Sequence, residues 1–298
     1  MRVFVTGATG WVGTVVVKEL ISAGHSVLGL SRSDEGAEAL AAAGASVQRG
    51  HLEDLDSLRA GAKASDGVIH TAFIHDFSKY LENCAIDRAA IEAMGAVLAG
   101  SGKPFITTSG TAGLAVGRLA DEDSQADRNS PMSTRLISED LTFGLVSQGV
   151  RGMVVRLPPS VHGAGDKGFV PTIVAAARER GSSAYVGDGR NRWAAVHRLD
   201  AARLYRLALE SGEAGRPYHA IGDEAVVFGD IAAVIGQRLG LPVVSISPEE
   251  AVAHFGFVGM VASLDIPVSG AKTRAALGWA PTQPGLIADL DQPHYFEG

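Results

Sequence analysis

The sequence predicts an α/β protein, a doubly wound parallel sheet that carries a smaller mixed α/β lobe. Three observations lead there. Short β-branched runs alternate with longer amphipathic stretches over the first 157 residues. The runs are apolar at successive positions, the pattern of strands covered on both faces. A glycine-rich turn beginning at residue 6 joins the first run to the first amphipathic stretch.

Taken in order, Val3 to Thr6 reads as a strand and Trp11 to Ala23 as a helix closed by Gly24. Ser26 to Ser31 is the second strand, and Glu35 to Ala43 a helix closed by Gly44. Strands follow at Ala45 to Arg49 and Gly67 to Thr71, a helix over Lys79 to Ala99, and a strand at Pro104 to Thr108. A long loop from Gly110 to Ser130 leads to a helix over about Pro131 to Gln148 and a sixth strand, Gly152 to Leu157. Regular βα alternation of this kind builds parallel sheets with helices on both faces.

Past Leu157 the pattern changes. Pro158, Pro159, Gly163, Gly165 and Gly168 crowd into a loop that leaves the sheet. Gly187 to Asn191 reads as a turn between strands, and Asp200 as the N-cap of a helix over Ala201 to Glu210. Arg216 to Ile221 returns as a last strand of the main sheet, and Phe228 to Leu239 is a further amphipathic helix. The expected division is 1–157, joined by about 200–222, for the main sheet, and 158–298 for the smaller lobe.

Composition narrows the class. Of 298 residues 46% are hydrophobic and 20% charged, enough apolar material for a full core. Lys plus Arg total 26 against 33 Asp plus Glu, a net charge of −7 with no basic block, which argues against nucleic acid as a partner. The single cysteine, Cys84, excludes an internal disulfide and a cysteine metal cluster. No apolar run reaches the roughly 18 residues of a membrane span, and the first strand starts at once, so the expectation is a cytoplasmic protein that uses neither membrane nor metal. The expected partners are a small-molecule substrate and, as an open assembly state, a second copy of the chain.

The glycine turn is Thr6-Gly7-Ala8-Thr9-Gly10-Trp11-Val12-Gly13. Between a strand and a helix, this spacing is the Rossmann-type dinucleotide fingerprint. Gly7 allows the tight turn, Gly10 lets backbone approach a pyrophosphate, and Gly13 lets helix and strand pack closely. The pyrophosphate then faces free N–H groups at the positive end of the helix dipole. The second strand ends in Ser31-Arg32-Ser33, where an NAD site carries a carboxylate for the ribose hydroxyls. A guanidinium forks onto a 2′-phosphate instead, so Arg32 points to NADP(H). The alternative is a solvated Arg32 with Asp34 reaching the ribose.

With these features the chain resembles the extended and atypical short-chain dehydrogenase/reductases, specifically their NAD-dependent epimerase/dehydratase-like group, over nearly its whole length. Gly50-His51-Leu52 stands where that group has a Gly-Asp-Leu at the adenine. Val68 to Ala72 is similar to its fourth strand, which implies a cofactor role for Thr71, Ala72 and Phe73. Thr107-Thr108-Ser109 matches the hydroxyl-rich end of its fifth strand. Arg156 to Gly163 resembles the stretch that passes the nicotinamide, implicating Leu157, Pro158 and Ser160. Trp193 to Asp200 and Lys272 to Pro281 resemble its later strand and its tail.

The resemblance fails at the proton relay. That group uses a Tyr with a Lys four residues on, the Lys lowering the phenol pKa. No Tyr in this chain has a Lys four residues later. Anchored on Glu139, Arg135 falls in the Lys position and Pro131, beside Met132, in the Tyr position. Ser109 remains as the substrate-orienting hydroxyl, unless it merely caps backbone. Arg135 remains as a clamp on the cofactor ribose, unless it pairs with Glu139 at i,i+4. Thr111, Tyr80, His75 and His162 are candidates to lie near the cleft, His162 because imidazole titrates near neutrality.

Two functions follow. One is an NADP(H)-dependent oxidoreductase acting on a small carbonyl, imine or enone-type substrate with a non-standard proton donor. The other is a cofactor-binding sensor or scaffold that has lost its chemistry. The full-length second lobe favours the enzyme. A sugar-nucleotide epimerase working through Tyr is disfavoured.

Overall fold

The computed structural model describes residues 1–125 and 134–297, with all their side chains except those of Phe77 and Leu136. The expected α/β architecture is present. Strands β1 (Arg2–Thr6), β2 (Ser26–Ser31), β3 (Ser46–Arg49), β4 (Gly67–His70), β5 (Pro104–Gly110) and β6 (Arg151–Leu157) belong to one sheet. Its order is β3-β2-β1-β4-β5-β6, extended at the far edge by Pro217–His219, and all neighbours run parallel. The strand order reverses between β1 and β4, which is where open α/β sheets bind their ligands.

Side-chain alternation assigns the two faces. Val3 and Val5 join a core with α1 (Gly13–Ser22), Leu40 of α2 (Asp34–Ala42) and later helix residues. Phe4 turns the other way, into a core with α3 (Leu55–Lys63), α4 (Tyr80–Leu98) and Leu145 just past α5 (Leu136–Gly144). The sequence reading left α3 unassigned. Its Gly61 sits at a helix contact, where an added Cβ would lie 2.4 Å from the Phe4 ring. Residues 131–133, the expected start of the helix before β6, lie outside the described residues, and α5 is assigned from Leu136.

The chain then builds the smaller lobe with β7 (Ser160–His162), α6 (Phe169–Arg180), β8 (Ser183–Val186) and β9 (Arg192–His197). It crosses back as α7 (Arg198–Ser211) and β10 (Pro217–His219), the edge strand of the main sheet. It leaves again as β11 (Asp223–Val227), α8 (Phe228–Leu239), β12 (Val243–Ile246) and α9 (Pro248–Phe255). The lobe has two small sheets, β11-β9-β7 and β12-β8, so the turn at 187–191 joins strands that do not pair with each other. Its core centres on the fully buried Trp193, whose ring lies 5.0 Å from that of Phe228.

Asp200 is not the N-cap of α7. His197 caps that helix, accepting from Leu199 N–H. Asp200 sits inside the first turn, 2% exposed, and ties down the C-terminal tail. Its carboxylate accepts from Thr282 N–H and Gln283 N–H, both at 2.9 Å, and its carbonyl accepts from Trp279 Nε1 at 3.0 Å. Asp200→Ala would leave two N–H groups without their acceptor and loosen the tail. The expected loss of unfolding free energy is about 2–4 kcal/mol by urea titration. An unchanged midpoint would show that the tail is held by Trp279 alone.

Candidate active site

The glycine turn closes as its spacing demands. Gly7 has φ +67°, and an added Cβ there would lie 2.7 Å from Ala72 N, so backbone of the β4 end leans directly on it. At Gly13 an added Cβ would fall 1.9 Å from Gly7 O, which makes glycine obligatory for the close approach of α1 to β1. Gly10 N–H donates to Gly7 O at 2.8 Å, and a Cβ at Gly10 would meet only that oxygen, at 3.1 Å. The turn therefore presents an open, side-chain-free surface at the head of α1, and these residues fit a pyrophosphate. Thr9 is exposed beside it.

Several side chains expected at the cofactor also make packing or hydrogen-bond contacts within the protein. Trp11 Nε1 donates to Val161 O at 2.7 Å, and its ring lies under the Arg198 guanidinium at 3.9 Å, so it bolts the turn to the smaller lobe. Val12 packs into the main core, as does Leu157, and Leu52 packs on the opposite core. Thr71 Oγ1 donates to Thr6 O at 2.8 Å. Thr107 Oγ1 meets Thr142 Oγ1 of α5 at 2.9 Å. Pro158 is buried, His51 is exposed, and Ser31 Oγ is spent on Ser33 O.

Beneath the turn runs a buried polar chain that sequence spacing did not reveal. Asp87 of α4 accepts from Ser138 Oγ at 2.6 Å and from His70 Nε2 at 3.1 Å. A carboxylate only accepts, so Nε2 carries the proton and Nδ1 is left to accept from Thr6 Oγ1 at 2.7 Å. Burial pushes the Asp87 carboxyl up, but the His70 hydrogen bond, the Arg135 charge and Ser138 outweigh it and hold it below the usual range. His70 and Asp87 were separable in sequence only as two unrelated polar residues in apolar stretches.

Arg135 sits at the head of α5, not within it. Its guanidinium lies 4.0 Å over the Phe73 ring, Nη2 reaches Thr108 O at 3.4 Å, and Nε is buried without a partner. Glu139 is not its partner. Arg156 of β6 takes that carboxylate, Nε at 3.0 Å and Nη2 at 2.7 Å, in a buried pair. An Arg in an apolar strand was the available signal, since buried guanidinium requires a carboxylate.

Thr108 faces Tyr205 of α7, so Ser109, like Thr107, faces α5. The hydroxyls of Ser109 and Thr111 are both buried without partners. Thr111 N–H donates to Leu157 O, placing it at the end of β6. Tyr80 and His75 join this group around Phe73, with ring separations of 6.4 and 5.5 Å. Burial, then Cys84, push the Tyr80 phenol up to about 12 against the Arg135 charge. Burial and Arg135 both lower His75.

His162 is not brought to this group. Val161 turns to the main core, so Ser160 and His162 share the opposite face of β7, toward the smaller lobe. There His162 Nδ1 pairs with Asp289 at 2.8 Å and its ring stacks edgewise on His197.

The model of the NAD dependent epimerase/dehydratase family matches residues 3–222. The chain belongs to that family. It is 50% identical over 297 residues to an uncharacterized protein of Schizosaccharomyces pombe, spanning 99% of this chain and 100% of the relative. It is 27% identical over 273 residues to the 4-hydroxy-2-methyl-3-oxo-4-farnesyl-3,4-dihydroquinoline-1-oxide ketoreductase of Stigmatella aurantiaca, spanning 86% and 80%. Among solved structures, the dTDP-glucose 4,6-dehydratase DesIV of Streptomyces venezuelae, with NAD and TYD bound, shares the fold at TM-score 0.78 and 20% identity, spanning 98% and 95%. Membership of the epimerase/dehydratase family agrees with the glycine turn and the strand order. Among the described residues no helix is long and apolar enough to cross a membrane.

Two predictions follow from this geometry. Gly10→Leu would fill the open surface of the turn, and dinucleotide binding by fluorescence should be abolished with circular dichroism unchanged; near-normal binding would mean the phosphate site lies elsewhere. Asp87→Asn should destabilise the protein, and the deficit should depend on pH. A depressed carboxyl contributes its full stability above the unfolded pKa of about 3.9 and loses it as pH falls through the lower folded value. The gap between native and variant in urea titrations should therefore be constant from about pH 7 to 5 and shrink below about pH 4.

Proposed function

We propose that the protein is an NADP(H)-dependent oxidoreductase that reduces a small carbonyl, imine or enone-type substrate without a Tyr-x-x-x-Lys relay. The observation that carries the reading is the pair of unpartnered polar groups at the end of β5. They are the buried Ser109 hydroxyl and, across Thr108 O, the half-buried Arg135 with its free Nε. Buried hydroxyl and guanidinium groups are normally satisfied, so unpartnered groups of this kind at the carboxyl end of the sheet suit a polar ligand.

In this reading Gly7 to Gly13 hold the pyrophosphate, Arg32 takes the 2′-phosphate, His51 and Leu52 border the adenine, and Thr71 to Phe73 border the nicotinamide ribose. The bound cofactor would supply hydride, and the proton that completes the reduction would come from water or from a neighbouring hydroxyl such as Thr111 or Tyr80. Ser109 donates a hydrogen bond to the substrate oxygen or nitrogen and orients it. Arg135, kept in place by Phe73, holds ribose hydroxyls and adds positive charge where negative charge develops. It stays protonated and relays no proton. The ketoreductase name of the Stigmatella relative is consistent with reduction of a carbonyl.

The test is a panel of ketones, imines and enones with NADPH, followed by loss of reduced-cofactor absorbance. Ser109→Ala should lower turnover about 10²–10⁴-fold with NADPH affinity unchanged, whereas Arg135→Ala should chiefly weaken NADPH binding. Tight NADPH binding with no turnover across the panel would favour the sensor reading.

A further inference from the structure

The ribose end of the site holds a feature that the glycine turn does not explain. An added Cβ on Gly36 would lie 2.6 Å from Ser31 Oγ and 3.0 Å from Thr9 of the glycine turn, so the head of α2 rests directly against that turn. Ser31 and Arg49 are register partners at the ends of β2 and β3. The tip therefore gathers two arginines, Arg32 and Arg49, beside the two carboxylates in the first turn of α2, Asp34 and Glu35. The two serines shape it. Ser31 Oγ donates to Ser33 O at 3.0 Å, and Ser33 Oγ accepts from Gly36 N–H at 3.1 Å.

Arg49 folds over this tip from the neighbouring strand. One Nη donates to Ser33 O and the other pairs with Asp34 Oδ1 at 2.8 Å. The pair is open to water, with side-chain exposures of 50% and 93%. So exposed an ion pair contributes little to stability, and its guanidinium, with five N–H donors of which two are used, can reach a second anion while it keeps Asp34. Its consequence is electrostatic. An unpaired Asp34 would accept ribose hydroxyls and repel a phosphate at the 2′ position, the behaviour of a site for the non-phosphorylated dinucleotide. With Arg49 against it, the Asp34 carboxylate is neutralised, and Arg32 stands beside it as a second guanidinium. A phosphate dianion offers more acceptor oxygens than Asp34, in the geometry a guanidinium fork matches.

We propose that Arg49 is the specificity-determining residue for the cofactor: it neutralises Asp34 and, with Arg32, forms a two-guanidinium clamp for the 2′-phosphate of an adenine dinucleotide. This rests on the NADP(H) reading above and adds a residue on a different strand from the one that reading uses.

The experiment needs no turnover. Adenosine 2′,5′-bisphosphate and 5′-AMP are titrated calorimetrically against the full chain and against Arg32→Ala, Arg49→Ala, Arg49→Lys and the double variant Asp34→Asn/Arg49→Ala. The two probes differ only in the 2′-phosphate. The native protein should prefer the bisphosphate by roughly ten- to hundredfold, and Arg49→Ala should lose most of that preference with 5′-AMP affinity unchanged or improved. Arg49→Lys, which keeps charge without the fork, should retain an intermediate preference. The double variant should recover only part of it, because neutralising Asp34 does not restore the second guanidinium. If the native protein binds both probes equally, the NADP(H) reading fails and Arg49 falls with it. If the native preference is present but Arg49→Ala keeps it within about twofold, or loses both probes equally, the NADP(H) reading stands and the proposal for Arg49 is overturned. Full recovery in the double variant would likewise overturn the clamp.

Discussion

A carboxylate at 1% exposure has to find donors inside the protein, and Asp87 finds them on two elements at once. Ser138 brings the first turn of α5 to it, and His70 brings the end of β4 and, through Thr6, the end of β1. Removing any one of these partners would leave a buried charge underpaired, which costs several times what the same contact would contribute at the surface. The glycine turn, the nicotinamide-side strand ends and the segment bearing Arg135 are therefore not independently placed. They share one anion, and its charge also favours the guanidinium that lies over Phe73.

The smaller lobe is held to this centre by short polar ties laid over apolar contact. Trp11 reaches Val161, and Arg198 covers its ring. The tail returns to Asp200 at the head of α7, with Trp279 buried in the main core. The main-sheet face of the small sheet, with Val161 and Val196, belongs to the same hydrophobic cluster as β1 and α1. Lobes so joined keep a spacing set by close packing and not by a flexible linker.

Charge is distributed unevenly along the proposed cofactor groove. At one end, Arg32 and Arg49 face water. At the other, Arg135 is half-buried against an aromatic ring, where a cation–π contact contributes about 0.5–2 kcal/mol. In the proposed reading the same residue type would perform two tasks, anion capture at the surface and a fixed field at the chemical end. A lysine in either place would lack the planar fork or the ring stacking.

The sequence by itself determined the architecture, because periodicity and glycine spacing are local. The strand β2 and the helix α8 coincide with their expected bounds, and the turn at Thr6 to Gly13 closes as its glycines require. α3 was not expected, and the reason for its Gly61, the Phe4 ring, lies on another element. Tertiary structure alone decided the partners of the charged groups. Glu139 is four residues from Arg135 yet bonds Arg156, and Asp200 looks like a helix cap yet anchors residues more than a quarter of the chain away. Asp87 and His70 meet in one buried hydrogen-bonded chain, while His162 faces the other lobe. The physical reason is common to all of these. Hydrophobic pattern is written along the chain at the period of its own helix or strand, whereas a buried charge is satisfied by whatever donor the packed sheet brings within 3 Å, and nothing in the local sequence encodes that neighbour.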